Sequence, residues 1–181
     1  MRVFIAVEIS NSEILNKIQT FQNELKINAK PTRIDQVHFT LQFLGEIGEE
    51  KCEQVKNILK KIEFSQFELS LQCVGVFPDL RNPRVVWIGC DKIGAEKLST
   101  IAKEIEKNLA MLGFEKGKKF KPHLTVFRIK NKVDDISSKM NSISEAEFGV
   151  QIISKIKLKR SILSPKGPEY SDLLEVNGNE K

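Results

Sequence analysis

The sequence predicts an α+β fold in two lobes, and three observations lead there. Strand-like and helix-like segments alternate in mixed order along 181 residues instead of sorting into one run of each. No Ser/Pro/Gly-rich linker or low-complexity stretch divides them, so residues 1–181 read as one domain. The only two histidines stand in matched tetrapeptides 85 residues apart, His38-Phe39-Thr40-Leu41 and His123-Leu124-Thr125-Val126. Each is preceded by a helical pattern and followed by a helix and more strand, a diverged repeat that predicts two lobes related by an approximate twofold.

Taken in order, residues 2–9 form a β-rich apolar run bounded by Ser10 and Asn11 and read as a buried strand. Ser10 with Glu13 offers a capping box, and Ile14, Ile18, Phe21 and Leu25 follow at helical spacing. The first histidine motif opens a strand over 37–44 that Gly45 closes, and Cys52, Val55, Ile58, Leu59 and Ile62 mark a second amphipathic helix. Over 67–77, Phe67, Leu69 and Leu71 alternate with Glu68, Ser70 and Gln72, the pattern of a half-exposed strand. Turns at Pro78-Asp79 and Asn82-Pro83 lead into a strand over 84–90 that carries the single tryptophan, Trp87. Leu98, Ile101, Ala102, Ile105, Leu109 and Leu112 then trace a long helix that stops at Gly113. The second motif begins a strand over 122–129, followed by a short helix near 134–142, a long strand near 148–160 and a final strand near 170–176.

Composition narrows the setting. A hydrophobic content of 40% fills a core without staples, and Cys52, Cys73 and Cys90, odd in number and widely spaced, read as buried thiols in a reducing cytosol. The opening MRVFIAVEIS is too short in its apolar run for a signal peptide or a membrane span, so a cytoplasmic protein is expected. A net charge of +5 shows only tolerance for anionic partners. Lys116, Lys118, Lys119 and Lys121 lead into the second motif, whereas Lys155, Lys157 and Lys159 alternate with Ile156 and Leu158 and read as a solvated face.

The histidine motifs carry the chemistry. Five threonines in the chain place Thr two after, and an apolar residue three after, both histidines by chance about once in ten thousand. In a strand His38 and Thr40 project to one face with Phe39 and Leu41 behind, and His123 and Thr125 do the same. Two imidazoles suit a reaction in which one group takes a proton and another gives one. Threonine hydroxyls between them can donate to phosphoryl oxygens. No Asp, Glu or Cys stands at metal-ligand spacing, so no metal and no cofactor is called for. Arg128 offers a forked bond to phosphate, although an offset of five from His123 sends it to the opposite strand face unless the strand bulges or ends. Arg33 and Lys121 are weaker candidates for backbone phosphates.

These residues resemble the two-histidine phosphoesterase superfamily with its paired H-x-T-x motifs, and within it the RNA 2',3'-cyclic phosphodiesterases, also called 2'-5' RNA ligases. The likeness extends through Arg2-Val3-Phe4-Ile5-Ala6-Val7, Phe43-Leu44-Gly45-Glu46, Pro122 and Arg128 beside the second motif, and Gly167-Pro168-Glu169-Tyr170. It implies two lobes of antiparallel sheet with helices packed outside, a central cleft lined by the motifs, and metal-free chemistry. It also implies hydrolysis of an RNA 2',3'-cyclic phosphate to a 2'-phosphomonoester. Carried onto this chain, His38 is the proton donor to the departing 3'-oxygen, His123 the proton acceptor from water, and Thr40 and Thr125 hold phosphoryl oxygens. Ligation of RNA ends, with tRNA half-molecules as substrates, and a non-catalytic RNA-binding module are the alternatives. The expected partner is an RNA with a cyclic phosphate end, tRNA fragments included, bound by a monomer away from membranes.

Overall fold

The structure, a computed structural model, describes residues 1–114, 119–130, 136–165 and 167–180. The first half of the chain runs β1 (Arg2–Glu8), α1 (Ser12–Glu24), the two-residue β2 (Lys30–Pro31), β3 (His38–Glu46), α2 (Glu49–Leu59) and β4 (Phe67–Phe77). The second half runs β5 (Val85–Cys90), α3 (Lys92–Leu109), β6 (Leu124–Arg128), α4 (Ser137–Ile143), β7 (Glu147–Ile153), β8 (Lys155–Ser164) and β9 (Gly167–Asn177).

Pairings between these strands are antiparallel, in the order β7-β4-β5-β6-β3-β1-β8-β9, with β2 clipped onto β6. The order divides into a first lobe, β3-β1-β8-β9, and a second, β6-β5-β4-β7, each with its histidine strand at the shared edge. Only Phe39 opposite Leu124 registers across that edge, whereas β1 and β3 pair from one end of β1 to the other. A seam one pair long leaves the two sheets free to diverge on either side of it, and a cleft follows.

One face of the sheet is apolar and covered. Phe39, Leu41, Leu124 and Val126 are buried in the same core as Ile14 and Ile18 of α1 and Leu98, Ile101 and Ile105 of α3. Each such side chain contributes about 1.5–3 kcal/mol by leaving water. His38, Thr40 and Thr125 lie on the other face, half-buried, as strand alternation requires. The α+β, two-lobed prediction therefore holds, with α3 ending through a short 3₁₀ turn at Gly113, whose φ of 76° a side chain rarely adopts.

Several expectations are corrected. Asn11, not Ser10, caps α1: its side chain accepts the Glu13 and Ile14 amides, while the Ser10 and Asn11 amides are drawn to the buried Gln151 Oε1 at 2.8 and 3.0 Å. The long strand near 148–160 is two strands broken at Ser154, because β7 pairs with β4 in the second lobe and β8 with β1 in the first. The final strand is longer than expected, and the beginning of the helix near 134–142 lies outside the described residues. Cys52 is buried, but Cys73 is exposed in the left-handed region (φ 65°) where β4 bulges. Lys155 is exposed and pairs with Glu175, but Lys159 is only 5% exposed and belongs to an ion cluster, not to a solvated face.

Candidate active site

Both histidines are held by the same device. The His38 Nδ1 lies 2.7 Å from the Gln36 carbonyl and the His123 Nδ1 lies 2.7 Å from the Lys121 carbonyl, each two residues back along the chain. A carbonyl only accepts, so each Nδ1 carries the hydrogen and each Nε2 is left for proton transfer. Gln36 is itself tied down, its side-chain amide donating to the Pro168 carbonyl at 2.9 Å. The seam does the rest: with Phe39 opposite Leu124 in antiparallel register, His38 is carried toward Thr125 and Thr40 toward His123. Thr40 and His123 line a common cavity.

A bulge follows the threonine in both strands, and it decides where Arg128 points. In β3, Ala6 opposes Thr40 and Ile5 opposes Gln42, so Leu41 is the extra residue. In β6, Trp87 opposes Thr125 and Val86 opposes Phe127, so Val126 is the extra residue. An extra residue reverses the alternation beyond it. Val126 and Phe127 are both buried, and Arg128 emerges on the face of His123 and Thr125. Its charge reaches His38 and Tyr170 across the seam. The matching position in the first lobe is Phe43, 73% exposed.

The first lobe surrounds His38 with rings and charge. Phe4 lies 5.0 Å away and Tyr170 meets the imidazole edge-on at 5.5 Å. Glu8, the registered neighbour of His38 on β1, joins a cluster with Lys157, Lys159 and Asp172, in which Lys157 is 2.6 Å from both carboxylates and Lys159 contacts both as well. Burial pushes the His38 pKa down to about 4. The Gln36 carbonyl and Glu8 pull it up, while Lys159 and Arg128 add to the depression. In the free protein His38 is therefore neutral at pH 7. Burial raises the Tyr170 phenol against the pull of Arg128 and Lys159. Burial also works against ionisation of Asp172, but Lys157 and Lys159 outweigh it and its carboxyl stays below the usual range.

Among the described residues no ion-pair cluster like that of Glu8, Lys157, Lys159 and Asp172 lies behind His123. Trp87, opposite Thr125, lies over Gly75 and beside Gly89, where an added Cβ would come within 2.2 and 3.3 Å of the indole. The ring thus leaves no room for a Cβ at Gly75, while one at Gly89 would press on both the indole and the Gln72 carbonyl. Phe77 sits 5.2 Å from Trp87 and meets His123 edge-on at 5.0 Å.

His38, Thr40, His123, Thr125 and Arg128 thus gather around one seam. Arg33 does not join them: it is exposed, with its guanidinium forked onto Asp35 at 3.0 and 2.5 Å. Lys121 is exposed beside the cleft, with its Nζ 5.9 Å from the Phe77 ring centroid. Lys116 and Lys118 lie outside the described residues. Among the described residues no three His, Cys, Asp or Glu side chains are grouped so as to hold a metal ion, and no helix is long and apolar enough to cross a membrane. Pattern reasoning passed over Phe4, Phe77 and Tyr170. Phe4 and Tyr170 both stand in segments that carried the family resemblance, and Tyr170 is also the single tyrosine, whereas Phe77 had no such signal.

The sequence profile of the LigT like phosphoesterases matches the chain twice, over 7–87 and 88–170, and each match takes in one histidine motif. An RNA 2',3'-cyclic phosphodiesterase of Archaeoglobus fulgidus is 39% identical over 96% of this chain and 98% of its own length. The protein of the same name from Aquifex aeolicus is 35% identical over 94% of each. A crystal structure from Thermus thermophilus superposes with a TM-score of 0.79 at 28% identity, covering 98% of this chain and 97% of that one. Escherichia coli LigT in its apo form shares the fold, with a TM-score of 0.80 at 23% identity over 98% and 96% of the two chains. Since the profile covers residues 7–170 in two matches, and the similarity to the relatives runs nearly from end to end, the chain belongs to the LigT like phosphoesterase family.

Proposed function

We propose that the cleft hydrolyses the 2',3'-cyclic phosphate at the end of an RNA chain, leaving a 2'-phosphomonoester and a free 3'-hydroxyl. The relatives named for this activity support the reading, and one observation carries it: two imidazoles from different lobes, each with Nδ1 on a main-chain carbonyl and Nε2 open. In the proposed step His123 takes a proton from water as the water oxygen bonds to phosphorus. The bond from phosphorus to the 3'-oxygen breaks, and that oxygen takes a proton from His38. Thr40 and Thr125 donate to the non-bridging oxygens, and Arg128 balances their charge. A proton lost from His123 and one gained by His38 reset the site. One chain supplies both motifs, so the working unit is a monomer, acting in the cytoplasm on RNA ends such as those of cleaved tRNA.

His38 must be charged to act as donor, yet burial holds it neutral at pH 7. An anionic phosphate beside it opposes the effect of Lys159 and Arg128 and raises its pKa, so substrate binding draws in the proton that the reaction uses. The same neutrality favours a second reading, in which His38 is the base and His123 the acid. A substrate with sulfur in place of the bridging 3'-oxygen separates the two, because a thiolate leaves without needing a proton. With the natural substrate, His38→Ala and His123→Ala each lose activity by about a hundredfold to ten-thousandfold. With the sulfur substrate, His38→Ala recovers most of the loss and His123→Ala does not. The opposite pattern exchanges the roles, and full activity of either variant on the natural substrate ends the two-histidine mechanism.

A further inference from the structure

Gln36 touches the surroundings of His38 from two directions. Its carbonyl accepts the His38 Nδ1 hydrogen at 2.7 Å, and its side-chain amide donates to the Pro168 carbonyl at 2.9 Å, 132 positions further along the chain. Pro168 stands at the start of β9, and two residues on, Tyr170 meets the His38 ring edge-on at 5.5 Å. The contacts close a circuit that runs from imidazole to carbonyl, from amide to β9 and from the phenol ring back to the imidazole. Local structure secures only one side of that carbonyl. Beyond it Val37 is buried, and the Ile9 amide reaches the Val37 carbonyl at 3.3 Å. Before it lies a single 3₁₀ turn, Ile34–Gln36, with no side-chain cap and one amide bond of 2.9 Å from Gln36 to the Arg33 carbonyl. Such a turn has poor hydrogen-bond geometry and holds little by itself.

We propose that Gln36 is a positioning residue for the reaction: its side-chain amide, anchored on Pro168, fixes the carbonyl that keeps the His38 hydrogen on Nδ1 and leaves Nε2 aimed at the substrate. The inference rests on the two-histidine chemistry proposed above, and it holds whichever histidine is the acid. The neutral ring with its hydrogen on Nδ1 is the form that accepts a proton at Nε2 and the form left after Nε2 has given one. A neutral imidazole without a partner prefers to carry the hydrogen on Nε2, so the working tautomer needs a carbonyl held in place. Gln36 suits the task because one residue supplies both the acceptor and its anchor. The tie belongs to the first lobe. The matching carbonyl beside His123 is that of Lys121, whose side chain is exposed, with its Nζ 5.9 Å from the Phe77 ring centroid. The aim of His38 thus depends on how the β8–β9 hairpin is seated, and that of His123 does not.

Histidine labelled with 15N gives the test its readout, because the chain holds only two histidines and a His123→Gln sample assigns their signals. In the wild type at pH 7, His38 should show a hydrogen-bearing Nδ1 and a bare Nε2. In Gln36→Met, which keeps the length of the side chain and removes its donor, the His38 nitrogens should move toward a mixture of the two tautomers while those of His123 stay in place. On an RNA ending in a 2',3'-cyclic phosphate the same variant should lose about fivefold to tenfold in kcat, with KM within about twofold, because the ring loses aim and the phosphate keeps its other partners. Gln36→Asn, whose amide ends one methylene short, should show the same changes more weakly and serves if the methionine disturbs folding. Unchanged His38 nitrogens, or equal shifts at both histidines, overturn the proposal, and so does a rise in KM at constant kcat. If the wild type leaves the cyclic phosphate intact, the proposed activity has failed, and the His38 nitrogens alone then decide whether Gln36 sets the ring.

Discussion

Behind His38 the sheet carries charge, and behind His123 it carries rings. Glu8 registers with His38 and leads into Lys157, Lys159 and Asp172, whereas Thr125 registers with Trp87, laid between two glycines, and Phe77 closes on His123. The repeat keeps the imidazole, its carbonyl two residues back, the threonine and the bulge after it. It changes what lies beside them. At the position five after each histidine, one lobe presents Phe43 and the other Arg128. A symmetric substrate would need no such difference, but a cyclic phosphate at the end of a strand has a charged head and a long, ring-bearing tail.

The largest expected effect comes from removing the charge behind His38. Lys159→Met leaves Glu8 and Asp172 sharing Lys157 alone in a largely buried cluster, and breaking such a cluster should cost about 3 kcal/mol in urea unfolding. The same change removes one of the cations that oppose His38 protonation, so the acid limb of the pH profile should move upward, though only in part because burial remains. A cost below about 1 kcal/mol would mean that solvent already screens the cluster, and the contrast between the lobes would lose its energetic meaning.

His38 itself offers a second measure. The unfolded chain takes up its proton near pH 6.5, whereas the folded protein holds out until about 4. Between those values the unfolded state binds more protons, so stability rises with pH across the window and is lost as pH falls through it. The amount is up to ~3 kcal/mol. Asp172, held low by its lysines, loses stability in the same direction in acid. The His38 share is therefore the difference between wild type and His38→Gln, measured as unfolding free energy at pH 7 and pH 4.5. Parallel curves for the two proteins would show that His38 is not shielded as the geometry indicates.

How much of this was legible in sequence follows from where the information lies. His38, Thr40, His123 and Thr125 were readable because type and spacing repeat, and strand alternation then assigns their faces. Arg128 was readable as a residue but not as a direction: an offset of five points it away, and only the bulge at Val126 turns it back. Nothing in the side-chain pattern marks a bulge, which is a mismatch of register between two strands. Lys159 reads as one of three alternating surface lysines until β9 folds over with Asp172. The break at Ser154 is invisible for a like reason, since 148–160 is β-prone throughout and only the partners differ. The Gln36 and Lys121 carbonyls are backbone groups and carry no sequence signature.

The smallest effect tests the bulge. The Gln22 side-chain amide, from α1, donates to both the Thr32 and the Val126 carbonyls at 2.9 Å, and Val126 is the extra residue that turns Arg128 toward the cleft. In Gln22→Leu the Val126 carbonyl keeps the Thr32 amide, so stability should fall by only about 1 kcal/mol. The imidazoles keep their own carbonyl partners, so kcat should stay near wild type. KM should rise a few-fold, in the direction of Arg128→Ala but by less, because the arginine remains and only its aim loosens. A fall in kcat with KM unchanged would place the influence of the bulge on His123 and not on Arg128. The contrast between Arg128 and the matching position that bears Phe43 would then have to rest on side-chain type alone.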